Sequence, residues 1–430
     1  MLCGMHSNSG TLSDEGDGDP LPIAEVPEYS VHLDAIRGAA ASVVFLSHIR
    51  LFFLSKTAAS PADTIQTSTS DATVHRVHHN PDYAHHAVMV FFVLSGFLVG
   101  GSVVRAIRQR RWSWKRYLTH RIVRLWMVLI PALLLVSLLD RTGLHIFAGQ
   151  QTLYSAPANQ QIIYPNLESR LGATTFVGNL FFLQEILVRP LGTDQPLWSL
   201  TNEFWYYLAF PLIALVVFRR PAQLKTLLML CLLVAMSWFV GAKISEYFVI
   251  WLMGVFAAVL PWRFSPKLRW PLMMIAIAGF MAIDLVIRIH GLEAFQGDLL
   301  IGLSAFLLLY GVAQLQRPFP AGPYRTGSRF MSRISYSLYL THGPILCFMS
   351  ALLVGAWRIL PLNGHTVLIV GAVITTAFAV ACAVHFLFEN RTNMVRDYIE
   401  TRLFPPILPE RIAETRGANN EALSNSVIAE

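Results

Sequence analysis

The chain has 430 residues, of which 54% are hydrophobic and only 14% charged, with a mean hydropathy of +0.50 and a pI near 9.3. That balance excludes an ordinary soluble protein of one or two domains and describes a polytopic membrane protein. The net charge of +7 reads as a topology signal, not as affinity for nucleic acid, because basic residues in such chains gather in the loops on one side.

Residues 1–30 are polar and acidic (Asp14, Glu15, Asp17, Asp19, Glu25, Glu28) and lack a basic segment leading into an apolar core. They predict a mobile cytoplasmic tail and no cleavable signal peptide. The first span is expected over Leu33–Ser55, long enough to cross a bilayer as one helix. It carries Arg37 and His48, with Asp34 and Ala41 near the same stripe. At about 100° and 1.5 Å per residue, Arg37 and His48 face the same way roughly 16 Å apart. Ionisable groups at bilayer depth cost about 2.5–3.5 kcal/mol each, so they face the bundle interior and mark function. The plainer alternative is an arginine snorkelling to one interface and a histidine satisfied by a neighbouring helix.

A polar connection, Lys56–His86, ends in His75, His78, His79, His85 and His86. Their spacing matches no familiar metal site, and no metal is expected. The second span, Ala87–Val104, contains Ser95, Gly96, Gly100 and Gly101, small residues that let helices approach closely. Ser95 is not read as a nucleophile, because no G-x-S-x-G elbow surrounds it. The third span, Tyr117–Leu139, opens with Arg121 and Arg124 on one face. A guanidinium pair suits a phosphate-bearing ligand; positive-inside topology accounts for the same pair equally well.

A polar stretch then runs to Pro196, broken by an apolar piece at Phe176–Leu187 expected at the interface. The fourth span, Leu197–Phe218, aligns Ser199, Glu203, Tyr206 and Tyr207 in one polar stripe. Counted from its outer end, Glu203 falls at about the depth of His48. A carboxylate beside an imidazole orients it and raises its basicity, as general-base catalysis on a hydroxyl needs; helix–helix hydrogen bonding is the competing role. Six more spans follow at Leu224–Val240, Ile244–Leu260, Trp270–Ile287, Leu299–Ala313, Ile334–Leu353 and Thr366–Phe388. Tyr339 and His342 share a face of the ninth and are candidates to line a cavity; helix–helix hydrogen bonding accounts for them equally well. Cys3, Cys231, Cys347 and Cys382 suggest neither a disulfide framework nor a zinc site.

The expected fold is therefore all-α, a polytopic integral membrane helix bundle of about ten spans. With the amino terminus inside, the basic segments Arg105–Arg116, Arg219–Lys225, Arg263–Arg269 and Arg317–Arg333 are all cytoplasmic, as are Arg391, Arg396 and Arg402. The expected organisation is a tail over 1–30, a membrane domain over 31–390 and a cytoplasmic tail over 391–430, with no soluble domain appended and no internal repeat.

Taken in order, LDAIRGAAASVVFLSH, FFVLSGFLVG, HRIVRL, NLFFLQ followed by LWSLTNEFWYYLAFP, ISYSLYLTH and LFEN resemble the acyltransferase family 3 membrane proteins over roughly Val31–Arg391. Arg37 and His48 stand at that family's Arg-x10-His spacing, and Arg121 and Arg124 match its Arg-x-x-Arg element. The resemblance implies a multi-pass protein of the inner membrane with both termini cytoplasmic. It implies a cytoplasmic acyl-CoA donor, often acetyl-CoA, held at Arg121 and Arg124, and His48 as general base or acyl carrier supported by Arg37 and Glu203. Ser199, Tyr206, Tyr339 and His342 then line the substrate site. The acceptor is a carbohydrate or lipid-linked glycan hydroxyl, and membrane lipids are the other partners. Two departures stand out: Met127 replaces the proline often found three residues after the second arginine, with Pro131 following later, and Asn390 follows Glu389 where a basic residue or proline is frequent. A transporter or flippase using the same intramembrane Arg, His and Glu is the competing class.

Overall fold

The computed structural model describes residues 30–54, 83–155, 166–261, 265–290, 292, 294–315 and 322–403. The amino-terminal tail, His75, His78, His79, Arg263, Arg317 and residues 404–430 lie outside the described residues. Among those described there are helices and turns but no strand. Residues 30–54 are α1 (Ser30–Ile49), which widens into a π turn over Arg50–Leu54. The second crossing is α2 (Tyr83–Ser95), a π turn at Gly96–Gly100 and α3 (Gly101–Arg108). The long α4 (Trp114–Ile146) follows, opened by Ser113 capping the Arg116 amide and unbroken by Pro131.

After a short α5 (Ala173–Leu180) come α6 (Leu197–Arg219), α7 (Gln223–Val240) and α8 (Ala242–Val259). The chain then forms α9 (Pro266–His290), α10 (Ala294–Ala313), α11 (Pro323–Val354) and α12 (Gly364–Leu387). Residues Thr392–Leu403, within the stretch expected to be a tail, form a further helix, α13. It docks on α4, where the Glu400 carboxylate lies 2.6 Å from His120 Nε2 and 3.9 Å from Arg116 Nε.

Among the described residues, nine helical segments are long and apolar enough to cross a membrane. The seventh expected span is present as α9, but its continuous apolar run, Trp270–Ile283, is shorter. The chain is thus the expected all-α helix bundle. Its centre is α1 packed on α2 and α11, with α4 and α12 against α11 and α8 and α10 against α2. By contrast α7 buries none of its residues, and Trp238 is 87% exposed. Such a helix, apolar all round and peripheral, is matched to hydrocarbon rather than to water.

The closest helix approach explains two glycines. A β-carbon on Gly96 would run into the Trp251 carbonyl, and one on Gly254 into the Val93 carbonyl. Without side chains at both positions, α8 lies directly on the π turn of the second crossing. Such one-turn π segments inside helices concentrate at functional sites, and this one borders the cavity described next.

Candidate functional site

A cavity of about 450 Å³ lies between the π-turned second crossing and helices α1, α4, α6 and α11. Arg37, Arg121, Arg124, Ser199, Glu203 and Tyr339 all line it, so six of the nine expected site residues converge on one space. Tyr207, Ser335 and Tyr336 join them. The residues lining it on the second crossing run from Val88 to Ser102, about 21 Å of helix at 1.5 Å per residue. The cavity is therefore elongated along the bundle axis.

The arginines sit toward the end of the bundle where α1 and α4 begin. Arg121 lies over two tyrosine rings, 5.7 Å from that of Tyr117 and 5.9 Å from that of Tyr207. Its Nε is buried with no hydrogen-bond partner among the described residues. A stacked guanidinium with donors to spare is pre-oriented for a planar or tetrahedral anion. Tyr207 is itself fixed, 3.2 Å from the Ser95 hydroxyl, which in turn accepts from Trp251 Nε1 at 3.2 Å. Ser95 thus anchors Tyr207 and Trp251 and also lines the cavity.

Glu203 is placed differently from the sequence expectation. It lies in the electrostatic neighbourhood of Arg37 and lines the same cavity as Arg121 and Arg124. The hydrogen bond to His48 comes instead from α11: His48 Nδ1 is 2.8 Å from His342 Nε2. The reason is the start of α6. The turn Leu191–Leu197 before it is folded into the bundle, with Leu191, Asp194 and Leu197 all at 0% exposure. Glu203 therefore lies deeper than a count from the membrane face suggests, at the level of the arginines. Tyr206 also departs from expectation. Its hydroxyl donates to the Ile244 carbonyl at 2.7 Å and its ring packs on Phe248 and Trp251, so it faces α8 and not the cavity. Tyr207, four residues after Glu203, takes the lining position.

The histidine pair fixes its own protons. His342 Nδ1 lies 3.0 Å from the Leu338 carbonyl, which can only accept. A neutral His342 therefore carries its proton on Nδ1 and offers a lone pair on Nε2. His48 Nδ1 then donates to that lone pair, which in a neutral His48 puts the ring's own lone pair on Nε2. That is the state a general base or a nucleophile requires. His342 is 1% exposed and His48 half-buried, and neither lines the cavity itself. Tyr339 stands between: its ring is 6.1 Å from that of His342 and 5.8 Å from that of Phe91. Its hydroxyl, on the cavity wall, is 2.7 Å from that of Ser199.

Two polar clusters escaped the sequence reading. Asp140, at the far end of α4, accepts from the Thr193 amide at 2.7 Å and the Thr193 hydroxyl at 2.9 Å. Gly192, at φ +54°, leaves room for that carboxylate. This clasp pulls the turn before α6 into the bundle. In the second cluster His85 Nε2 lies 2.9 Å from Asp298 Oδ1, and the Tyr247 hydroxyl donates to Asp298 Oδ2 at 3.1 Å. His85 and His86 are thus helical residues of α2, and no group of metal-binding side chains occurs among the described residues.

The carboxyl of Asp194 has no hydrogen-bond partner on either oxygen among the described residues. Burial pushes its pKa well above the usual carboxylate range, and the charge of Asp140 adds to the effect. The folded protein then holds a proton that the unfolded chain releases, so stability falls as pH rises above the ordinary carboxylate range. Asp194→Asn is expected to raise Tm relative to wild type, by a margin that grows from about pH 5 to about pH 8. Thermal unfolding in detergent at both values measures this, and a pH-independent margin would remove Asp194 as its source.

Residues 31–384 match the model of a family described as an acyltransferase domain. A curated protein of Haemophilus influenzae, described only as uncharacterized, is 29% identical over 148 residues, which is 34% of this chain and 55% of that protein. The chain thus spans about half the length of the curated relative it matches. No solved structure matches it.

Proposed function

The chain belongs to the acyltransferase family 3 membrane proteins, and from that premise we propose that it transfers an acyl group from acyl-CoA to a hydroxyl of a carbohydrate or lipid-linked glycan. The arginine end of the bundle faces the cytoplasm and admits the donor, with acetyl-CoA the first candidate. Both termini are then cytoplasmic and the membrane is the inner one, in keeping with the basic segments gathered at that end.

The observation that carries this reading is a chain of side-chain contacts. One cavity joins Arg37, Arg121 and Arg124 to Tyr339, and the ring of Tyr339 abuts the imidazole of His342 that holds His48. Donor phosphates bind the arginines through charge-assisted hydrogen bonds. Glu203 balances part of the charge of that cluster and steadies the guanidiniums between turnovers.

In the reaction the acceptor hydroxyl gives its proton to His48 Nε2 and its oxygen attacks the thioester carbonyl carbon. The tetrahedral intermediate collapses with cleavage of the C–S bond, and the departing thiolate takes the proton from the imidazolium. His342 holds the ring of His48 in the productive tautomer throughout. Arg37, on the same helix face as His48, binds the donor and takes no part in proton transfer.

The test uses whole membranes from a deletion strain and from the same strain complemented with this chain, each given [14C]acetyl-CoA. Label appearing in a glycan or lipid-linked fraction only after complementation is the expected result. No difference in any covalent product, together with a difference in uptake, would replace the reading by transport.

A further inference from the structure

The cavity walls change character along their length. Near the arginines Ser102, Glu203, Tyr207 and Ser335 add polar groups to a lining that also includes Leu98, Val99 and Leu125. At the opposite end the second crossing presents Val88, Phe91, Phe92 and Leu94, hydrocarbon only, and the paired hydroxyls of Ser199 and Tyr339 belong to the same lining. Along α2 the cavity-lining positions Val88, Phe91, Phe92 and Ser95 recur at helical spacing, and they form one stripe that is apolar up to Ser95, after which Leu98 and Val99 of the π turn continue the lining.

Within that apolar end the side chains are not equally free. Phe92 is 2% exposed and locked among the rings of Trp198, Tyr206 and Tyr247, at 6.0, 5.9 and 6.2 Å. Val88 and Leu94 are buried at 4% and 2%. Phe91 alone of the four is only half-buried. It meets Tyr339 edge to face, at an interplanar angle of 68°. The Phe91–Tyr339 contact therefore links the apolar wall to the tyrosine whose ring is 6.1 Å from that of His342.

We propose that the Val88–Phe91–Phe92 wall is the slot for the acyl chain of the donor, and that Phe91, braced against Tyr339, restricts that chain to a short one. The inference rests on the acyl-CoA reading above. With the phosphates at the arginines and the thioester carbon beside the Tyr339 and Ser199 hydroxyls, the chain beyond that carbon, directed away from the arginines, meets this hydrocarbon surface. An acetyl or propionyl group fits without disturbing the ring contact. A chain of eight carbons has to displace Phe91, and discrimination by hydrophobic walls amounts to about 10-fold or more per misfitted methylene step.

The experiment compares acetyl-CoA with octanoyl-CoA as donors for purified wild type, Phe91→Leu and Phe91→Ala in nanodiscs, reading thiol release in the presence of total envelope glycan. Wild type is expected to favour acetyl-CoA. The ratio of kcat/KM for octanoyl over acetyl donor should rise about 10-fold or more in Phe91→Ala and by a smaller factor in Phe91→Leu. Inhibition by free CoA, which has no acyl chain and reads only the arginine end, should change little in both. An unchanged donor ratio in the two active variants overturns the slot and leaves the acyl-CoA reading standing. A wild type that releases no thiol from either donor, and binds no free CoA, overturns both together. Should Phe91→Ala fail to fold, Phe91→Leu, which keeps most of the apolar volume, decides the matter through the same ratio.

Discussion

Replacing His48 by alanine is expected to lower kcat for acyl transfer by about 10²–10⁴-fold, the range that a positioned general base supplies, with donor KM little changed. The expectation follows from proton bookkeeping at the pair. The Leu338 carbonyl holds the Nδ1 proton of His342, the Nε2 lone pair of His342 accepts from Nδ1 of His48, and the lone pair of a neutral His48 then lies on its Nε2. The same chain separates a catalytic role from a structural one. Glutamine at position 342 carries an oxygen that accepts a hydrogen bond from His48 Nδ1, whereas leucine of similar size carries none. His342→Gln should therefore retain about 10-fold more activity than His342→Leu, in keeping with the cost of a buried donor left unpaired. Measured kcat in proteoliposomes decides both comparisons, and equal activities at position 342 would reduce that contact to packing.

Much of the bundle was legible because hydrocarbon imposes simple rules. Backbone groups in a bilayer must pair internally, so apolar stretches become helices, and each of the expected spans has its helix. Helical geometry puts Arg37 and His48 on one face of α1, but only Arg37 of the two lines the cavity. What escaped was whatever depends on where a helix starts in depth. The clasp of Asp140 on Thr193 joins residues 53 apart in sequence. That clasp, with Asn179 accepting from the Leu191 amide and Gln184 donating to the Leu197 carbonyl, holds the start of α6 inward, and Glu203 then lines the cavity with the arginines instead of meeting the histidine. Tyr206 and Tyr207 illustrate the finer limit. Adjacent residues on one helix point about 100° apart, and which of the two met the cavity depended on where α8 lay. His85 was hidden by its neighbours: read with the histidines of a polar connection, it proved to be the first turn of α2, tied to Asp298 on α10.

Removing both Arg121 and Arg124 is the complementary expectation, and here the loss should fall on KM. Charge-assisted hydrogen bonds contribute about 1.5–3 kcal/mol each, so even one lost at each arginine corresponds to about 10²-fold or more in donor affinity at 1.4 kcal/mol per tenfold. The alanine pair alone is ambiguous, because two cationic residues at the basic end of a crossing also steer its orientation. Arg121→Lys/Arg124→Lys resolves this. It keeps both positive charges, hence the topology signal, but gives up the planar fork and its stacking between Tyr117 and Tyr207. If the arginines bind donor phosphates, the lysine pair folds and inserts normally yet shows KM raised by about 10-fold, between wild type and the alanine pair. A lysine pair with wild-type KM and kcat would make the two arginines topology signals and nothing more, and the donor would then need another anchor. Arg37 is the next candidate, since it lies on the same cavity and faces the same way as His48.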